Sequence, residues 1–119
     1  MINTDSFIVE QLQKIKKRNL HRSETELRLL LYSKLVEEVG ELTEKLLCYF
    51  EYQRVEKIKT FMFKDLEEEF ADVYICLLLL SKELKINLDT SISEKIKEDR
   101  KSTRLNSSHT IQYRMPSSA

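Results

Sequence analysis

Glycine and proline are almost missing from this chain, with one of each in 119 residues. Little is left to interrupt a helix, and the abundance of Leu, Glu and Lys reads as all-α. Net charge is missing too. Twenty basic and twenty acidic side chains cancel, so no basic surplus points to nucleic acid as a partner. Long apolar runs are absent: the longest, Val73 to Leu80, falls far short of the ~20 residues a membrane-spanning helix needs. No stretch reads as a signal peptide, and no membrane association is expected. The two cysteines, Cys48 and Cys76, sit in apolar helical settings. They suit a reducing cytoplasm better than a disulfide framework. The length fits one domain with a small core for its surface.

What the chain does have is acid in unusual places. Lys34-Leu35-Val36-Glu37-Glu38-Val39-Gly40-Glu41-Leu42 carries three carboxylates on an otherwise apolar helical segment, and Glu67-Glu68-Glu69-Phe70-Ala71-Asp72-Val73 answers it downstream. Glu38 with Glu41, and Glu69 with Asp72, are spaced i, i+3, one turn apart on one side of a helix. The apolar stripes predicted for these helices run through Leu35, Val39, Leu42 and Leu46, and through Leu66, Phe70, Val73, Leu77, Leu80 and Leu84. From those stripes Glu38 and Glu69 lie about 60–80° to one side, and Glu41 and Asp72 about 120–140° to the same side. Packed as neighbours, the two helices bring four carboxylates together. Unpaired acids so placed repel one another unless a cation sits among them. Oxygen ligands without His or Cys select Mg²⁺, with Mn²⁺ as the alternative.

Gly40 adds to this, since a glycine inside a helix costs about 1 kcal/mol against Ala. Its presence predicts a close approach to the backbone. The competing reading is a solvated acidic face on a non-catalytic helical interaction module, because an acid-rich chain produces such spacings by chance. Di-iron carboxylate chemistry is set aside: it needs Glu-x-x-His on two helices, and neither acidic segment contains a histidine.

The double motif resembles that of the MazG-like group of all-α nucleoside triphosphate pyrophosphohydrolases. That family carries E-E-x-x-E on one helix and E-x-x-D on the next, here Glu37-Glu38-Val39-Gly40-Glu41 and Glu69-Phe70-Ala71-Asp72. The likeness runs from about Glu24 to Lys97. It implies an antiparallel four-helix bundle, oligomeric as a homodimer or a dimer of dimers. It further implies Mg²⁺-dependent cleavage of a nucleoside triphosphate to the monophosphate and pyrophosphate. Glu38, Glu41, Glu69 and Asp72 are then the metal ligands, and Glu37 the catalytic base or a ligand to a second metal. The family usually continues with a Lys, an Asn and an Arg that reach the triphosphate. Lys95, and Lys97 beside it, fit the lysine as a substrate-phosphate contact. Asp99 stands where Asn is expected and Ser102 near the Arg, so the resemblance fails there.

Around the motifs, the periodicity predicts a first helix over Asp5 to Asn19, ending in a basic cluster of Lys14, Lys16, Lys17 and Arg18. That cluster is either a solvated helix end or a contact to substrate phosphates. Ser23-Glu24-Thr25-Glu26 is a capping box that opens the second helix, expected to reach at least Phe50. Helix resumes around Val55 to Ile58, and Phe61-Met62-Phe63 forms an apolar knot. Asp65-Leu66-Glu67-Glu68 reads as a second capping box. Val73 to Leu80 is apolar on every side, which predicts sharing with another subunit. Ser91 to about Glu98 begins a fourth helix with Ile92 and Ile96 inward. Residues 99–119 lose apolar periodicity and resemble translated sequencing-adapter text, so the domain is expected to occupy 1–98 and the remainder to be non-native.

Overall fold

The computed structural model describes residues 2–105, and every helix expected from the sequence is present. The helices are α1 (Thr4–Arg18), α2 (Glu24–Tyr49), α3 (Val55–Thr60), α4 (Phe63–Glu83) and α5 (Leu88–Leu105), with no strand among the described residues. The chain divides into two units, Met1–Ile86 and Asn87–Ala119.

In the first unit α2 and α4 form an antiparallel hairpin. The direction follows from side chains that meet across it. Tyr49 packs against Phe63 with ring centroids 5.7 Å apart, the Glu38 charge acts on Glu69, and Leu31 shares a buried cluster with Leu79. The capping box at the start of α2 forms as expected: Glu26 N–H donates to Ser23 Oγ and Ser23 N–H to Glu26 Oε1, both at 3.1 Å. At its far end Glu51 takes a left-handed φ of 63°, and Tyr52 N–H closes onto Leu47 C=O at 2.8 Å. This is a glycine-type helix stop made without glycine.

Helix α4 starts earlier than its sequence signal. Asp65 is not the cap but lies one turn inside, where its carboxylate accepts from Met62 N–H at 2.9 Å. An acid in the first turn serves the helix dipole equally well, so the same four residues fit a start three positions upstream.

Helix α1 lies against α4 and closes the core, with Ile8 and Leu12 meeting Leu27, Leu31 and Leu79. An ion pair stands near each end of α1: Asp5 with Lys82 at 3.2 Å and Lys16 with Glu83 at 2.6 Å. Residues 5 and 16 are about 16 Å apart along a helix, whereas 82 and 83 are adjacent, so α1 crosses α4 rather than running along it. Glu83 is only 7% exposed, and a buried carboxylate needs its counter-charge. Lys16 therefore has a structural task in this unit.

Burial corrects the expected stripes. Val39, Phe70, Leu77 and Leu84 are exposed, while Leu66, Cys76, Leu79 and Glu83 are buried. The inward line of α4 thus runs through Leu66, Glu69, Val73, Cys76 and Leu79, about a sixth of a turn from the one predicted. Gly40 is corrected as well. It is exposed, and a Cβ built there meets nothing within 4 Å, so no close approach within the described chain requires it. Gly40→Ala should then recover helix propensity of about 1 kcal/mol. For a unit this small that is a melting temperature roughly 4–8 °C higher, read by circular dichroism on the dilute protein.

The second unit, as described, is α5. Asn87 caps it, its side-chain oxygen accepting from Thr90 N–H at 3.1 Å. Ile92 and Ile96, expected inward, are exposed. The helix runs past the expected end at Glu98 to Leu105. Lys, Glu and Arg sustain a helix without an apolar stripe when no Gly or Pro intervenes. The rest of the tail, residues 106–119, lies outside the described residues.

Candidate metal centre

The hairpin brings the two acidic motifs face to face. Glu38 comes from the middle of α2, and Glu69 and Asp72 come from the first three turns of α4. One carboxylate oxygen from each lies within 4.8 Å of the others. Glu38 and Glu69 are half-buried between the helices and Asp72 is exposed at the rim. Three of the four expected ligands therefore converge. Glu41 stands outside that group, yet near enough for its charge to act on Glu69.

Glu69 bears the strain of this arrangement. Its Oε2 is buried and accepts no hydrogen bond. Burial pushes its carboxyl above the ordinary value, and the charge and hydrogen bond of Glu38, then Asp72 and Glu41, push it further. The physical cause is plain: two ionised carboxylates have no proton to share, and repulsion between them favours protonating one.

Lys34 was not singled out by the sequence reading, and it is part of the centre. Its Nζ lies 3.2 Å from Glu38 and 3.7 Å from Glu37. The hydrogen bond to Glu38 and then the Glu37 and Glu38 charges hold its ammonium above the ordinary lysine value. The signal was present, since Lys at i−4 to a Glu is a pairing distance on a helix. Glu37 is drawn to Lys34 on the outer side of α2 and does not join the three-carboxylate group. Lys34 supplies the positive charge that Glu38 needs, whereas the largest influences on Glu69 are burial and its acidic neighbours.

Cys76, expected in an apolar helical setting, is buried as expected and also stands beside the centre. It lies one turn beyond Asp72, buried on the inward line. Burial first, then the Glu38 charge, raise its thiol, while Lys34 works the other way. The neutral thiol therefore packs as a small apolar side chain. Cys48 is likewise free and buried.

Near the other end of the hairpin a cleft of about 130 Å³ opens between Glu44, Cys48, Lys57, Thr60 and Asp65. The Lys57–Glu44 ion pair spans it. A drug-sized ligand takes roughly 300–1,000 Å³, so this cleft is too small to hold a nucleotide. Lys95 and Lys97 lie on α5 in the second unit and are exposed, as is Ser102. No helix among the described residues is long and apolar enough to cross a membrane. Compared with known proteins, the chain matches no protein-family model, no curated protein and no solved structure.

Proposed function

We propose that this chain is a Mg²⁺-dependent nucleoside triphosphate pyrophosphohydrolase of the MazG-like kind, working as a homodimer or a dimer of dimers in the cytoplasm. The observation that carries the reading is Glu69 Oε2, buried and without a donor among converging carboxylates. A donor set made only of carboxylate oxygens fits a hard divalent cation, Mg²⁺ or Mn²⁺. Glu38, Glu69 and Asp72 would hold the ion, and Glu41 would complete the set. A divalent cation at this place neutralises phosphate charge and lowers the pKa of water. Glu37, exposed and paired with Lys34, would position the water that attacks the α-phosphorus and take its proton. The bond to the bridging oxygen then breaks and pyrophosphate leaves.

Lys34 favours a second reading. A lysine already bonded to Glu38 is what a solvated acidic face on an interaction module would carry. Metal binding separates the two. A ligand that binds only the folded state stabilises it by about 2.7 kcal/mol at one hundred times its dissociation constant. Thermal melting in millimolar Mg²⁺ should therefore rise several degrees above the melt in EDTA. Release of pyrophosphate should follow in a screen across common and damaged nucleotides. Superimposable melts and no turnover would leave the interaction module as the answer.

A further inference from the structure

The cleft beside α3 lies on the same side of the hairpin as the carboxylates. On α2 the inward line passes through Leu31, Glu38 and Leu42. At 100° per residue, Glu41, Lys45 and Cys48 stand about 30–90° to one side of that line, and Glu44 about 130° to the same side. On α4, Asp72 and Asp65 stand about 40–60° from the inward line in the same sense. Two antiparallel helices that face each other turn in opposite senses when viewed along one axis, so both flanks emerge on one side. Helix α3 adds Lys57 and Thr60 to the cleft, with Phe61 just past its end. At 1.5 Å per residue, Glu44 and Cys48 lie about 5 and 11 Å along the axis from Glu41, and Asp65 about 11 Å from Asp72. The cleft therefore continues the carboxylate side toward α3 and begins about one turn away.

Its size and lining select what it holds. The volume is about 130 Å³, and a cavity of about 150 Å³ takes one benzene ring. One six-membered ring fits; two fused rings overfill it. The charges of the lining cancel, Glu44 and Asp65 against Lys45 and Lys57, so the cleft does not select another phosphate. Phe61, packed edge-on to Tyr49 at 6.4 Å, gives an aromatic wall on which a flat ring can stack. The carboxylates accept hydrogen bonds and the ammonium groups donate them. Thr60 Oγ1 donates between the Glu56 and Lys57 carbonyls, 3.3 Å from each, and keeps its lone pairs to accept. A neutral, flat, single ring with donors and acceptors on its edge matches this lining. That is a pyrimidine base.

We propose that this cleft is a base subsite, and that the substrate is a pyrimidine nucleoside triphosphate. The inference rests on the hydrolase reading, which puts the α-phosphorus at the carboxylates. A base is joined to that phosphorus through one ribose, a bridge that crosses the single turn between Glu41 and the cleft. The ring stacks on Phe61, Glu44 accepts an N–H from its edge, and Lys57 donates to its carbonyl oxygen. The Lys57–Glu44 ion pair already spans the cleft, so acceptor and donor stand side by side before the base arrives.

Calorimetric titration of the full chain in Mg²⁺ tests it. The probes are the α,β-methylene triphosphates of cytidine, uridine, adenosine and guanosine, which cannot be split at that bridge, with inorganic triphosphate as the probe that has no base. The variants are Phe61→Ala, which removes the stacking ring, and Thr60→Leu, which fills the cleft from an exposed position. Far-UV circular dichroism checks that each keeps its helices, and Thr60→Leu alone decides the matter if Phe61→Ala does not fold. The pyrimidine probes should bind the parent at least ten-fold more tightly than the purine probes. Each variant should lose about ten-fold or more of the pyrimidine affinity, the usual cost of a lost base–aromatic stack. Inorganic triphosphate and the Mg²⁺-induced melting shift should be unchanged in both. Purines that bind as tightly as pyrimidines, variants that bind every probe as the parent does, or no binding of any nucleoside probe would each overturn the subsite. Turnover of the natural triphosphates, measured alongside, separates the two readings. Hydrolysis without base preference removes the subsite and leaves the hydrolase, whereas variant-sensitive pyrimidine binding without hydrolysis removes the hydrolase and leaves the subsite.

Discussion

Glu38→Gln and Asp72→Asn should each reduce Mg²⁺-dependent pyrophosphate release by about a thousand-fold and erase the Mg²⁺-induced rise in melting temperature. Both substitutions keep side-chain volume and remove one negative charge, so the hairpin has no packing reason to open. Removing one ligand charge costs much of what the cation contributes to the transition state. That contribution is several kcal/mol, and each 1.36 kcal/mol is tenfold in rate. The metal-free variants should not be equally stable. Asp72→Asn relieves repulsion at Glu69 and should melt slightly higher than the parent in EDTA. Glu38→Gln relieves the same repulsion, but it also takes the carboxylate from Lys34, so its gain should be smaller. Steady-state turnover and paired melts with EDTA and Mg²⁺ measure both effects. Retained turnover in the two variants would remove the metal assignment.

The parts of the fold legible in the sequence were those written in local chemistry. Ser23 and Glu26 start α2 as predicted, because a capping box is satisfied within four residues and needs nothing from the rest of the chain. The i, i+3 acids did land on helices that face one another. The inward direction of α4 was not legible, and Val73 to Leu80 shows why. A segment apolar on all sides has one stripe that meets α2 and another that meets water, and periodicity cannot tell them apart. Phe70 and Leu77 were read as core for that reason, when Cys76 and Glu83 take the buried positions. The rotation has a chemical consequence. It puts Glu69 on the inward line rather than beside it, which accounts for its donor-less oxygen. Lys34 was overlooked because a lysine next to acids is ordinarily a surface pair. What makes it matter is the half-burial of Glu38, whose side chain is 15% exposed, and that belongs to packing. The length of α5 was missed for the opposite reason: apolar periodicity was required of a helix that runs on propensity alone.

Glu69 should make the metal-free protein less stable as pH rises. Its carboxyl titrates above the ordinary 4.5 in the folded chain, for burial first and for the Glu38, Asp72 and Glu41 charges after it. Between 4.5 and the raised value the folded state binds more protons than the unfolded one, so stability falls with increasing pH. The cost is absent below 4.5 and fully present above the raised value. Other carboxylates titrate over the same range, so the quantity to measure is the difference between the parent and Glu69→Gln. In EDTA the two should be about equally stable near pH 4, and the variant should gain steadily over the parent as pH approaches neutrality. Mg²⁺ should reverse the order at neutral pH, because a cation binds the ionised carboxylate and removes the reason to protonate it. The parent should rise with metal and the variant should stay nearly level. Urea unfolding at half-unit steps from pH 4 to 8, with and without Mg²⁺, resolves the two curves. A stability difference that does not change with pH would mean that Glu69 ionises in the folded chain as freely as in the unfolded one. The converging carboxylates would then be an acidic surface with no demand for a cation.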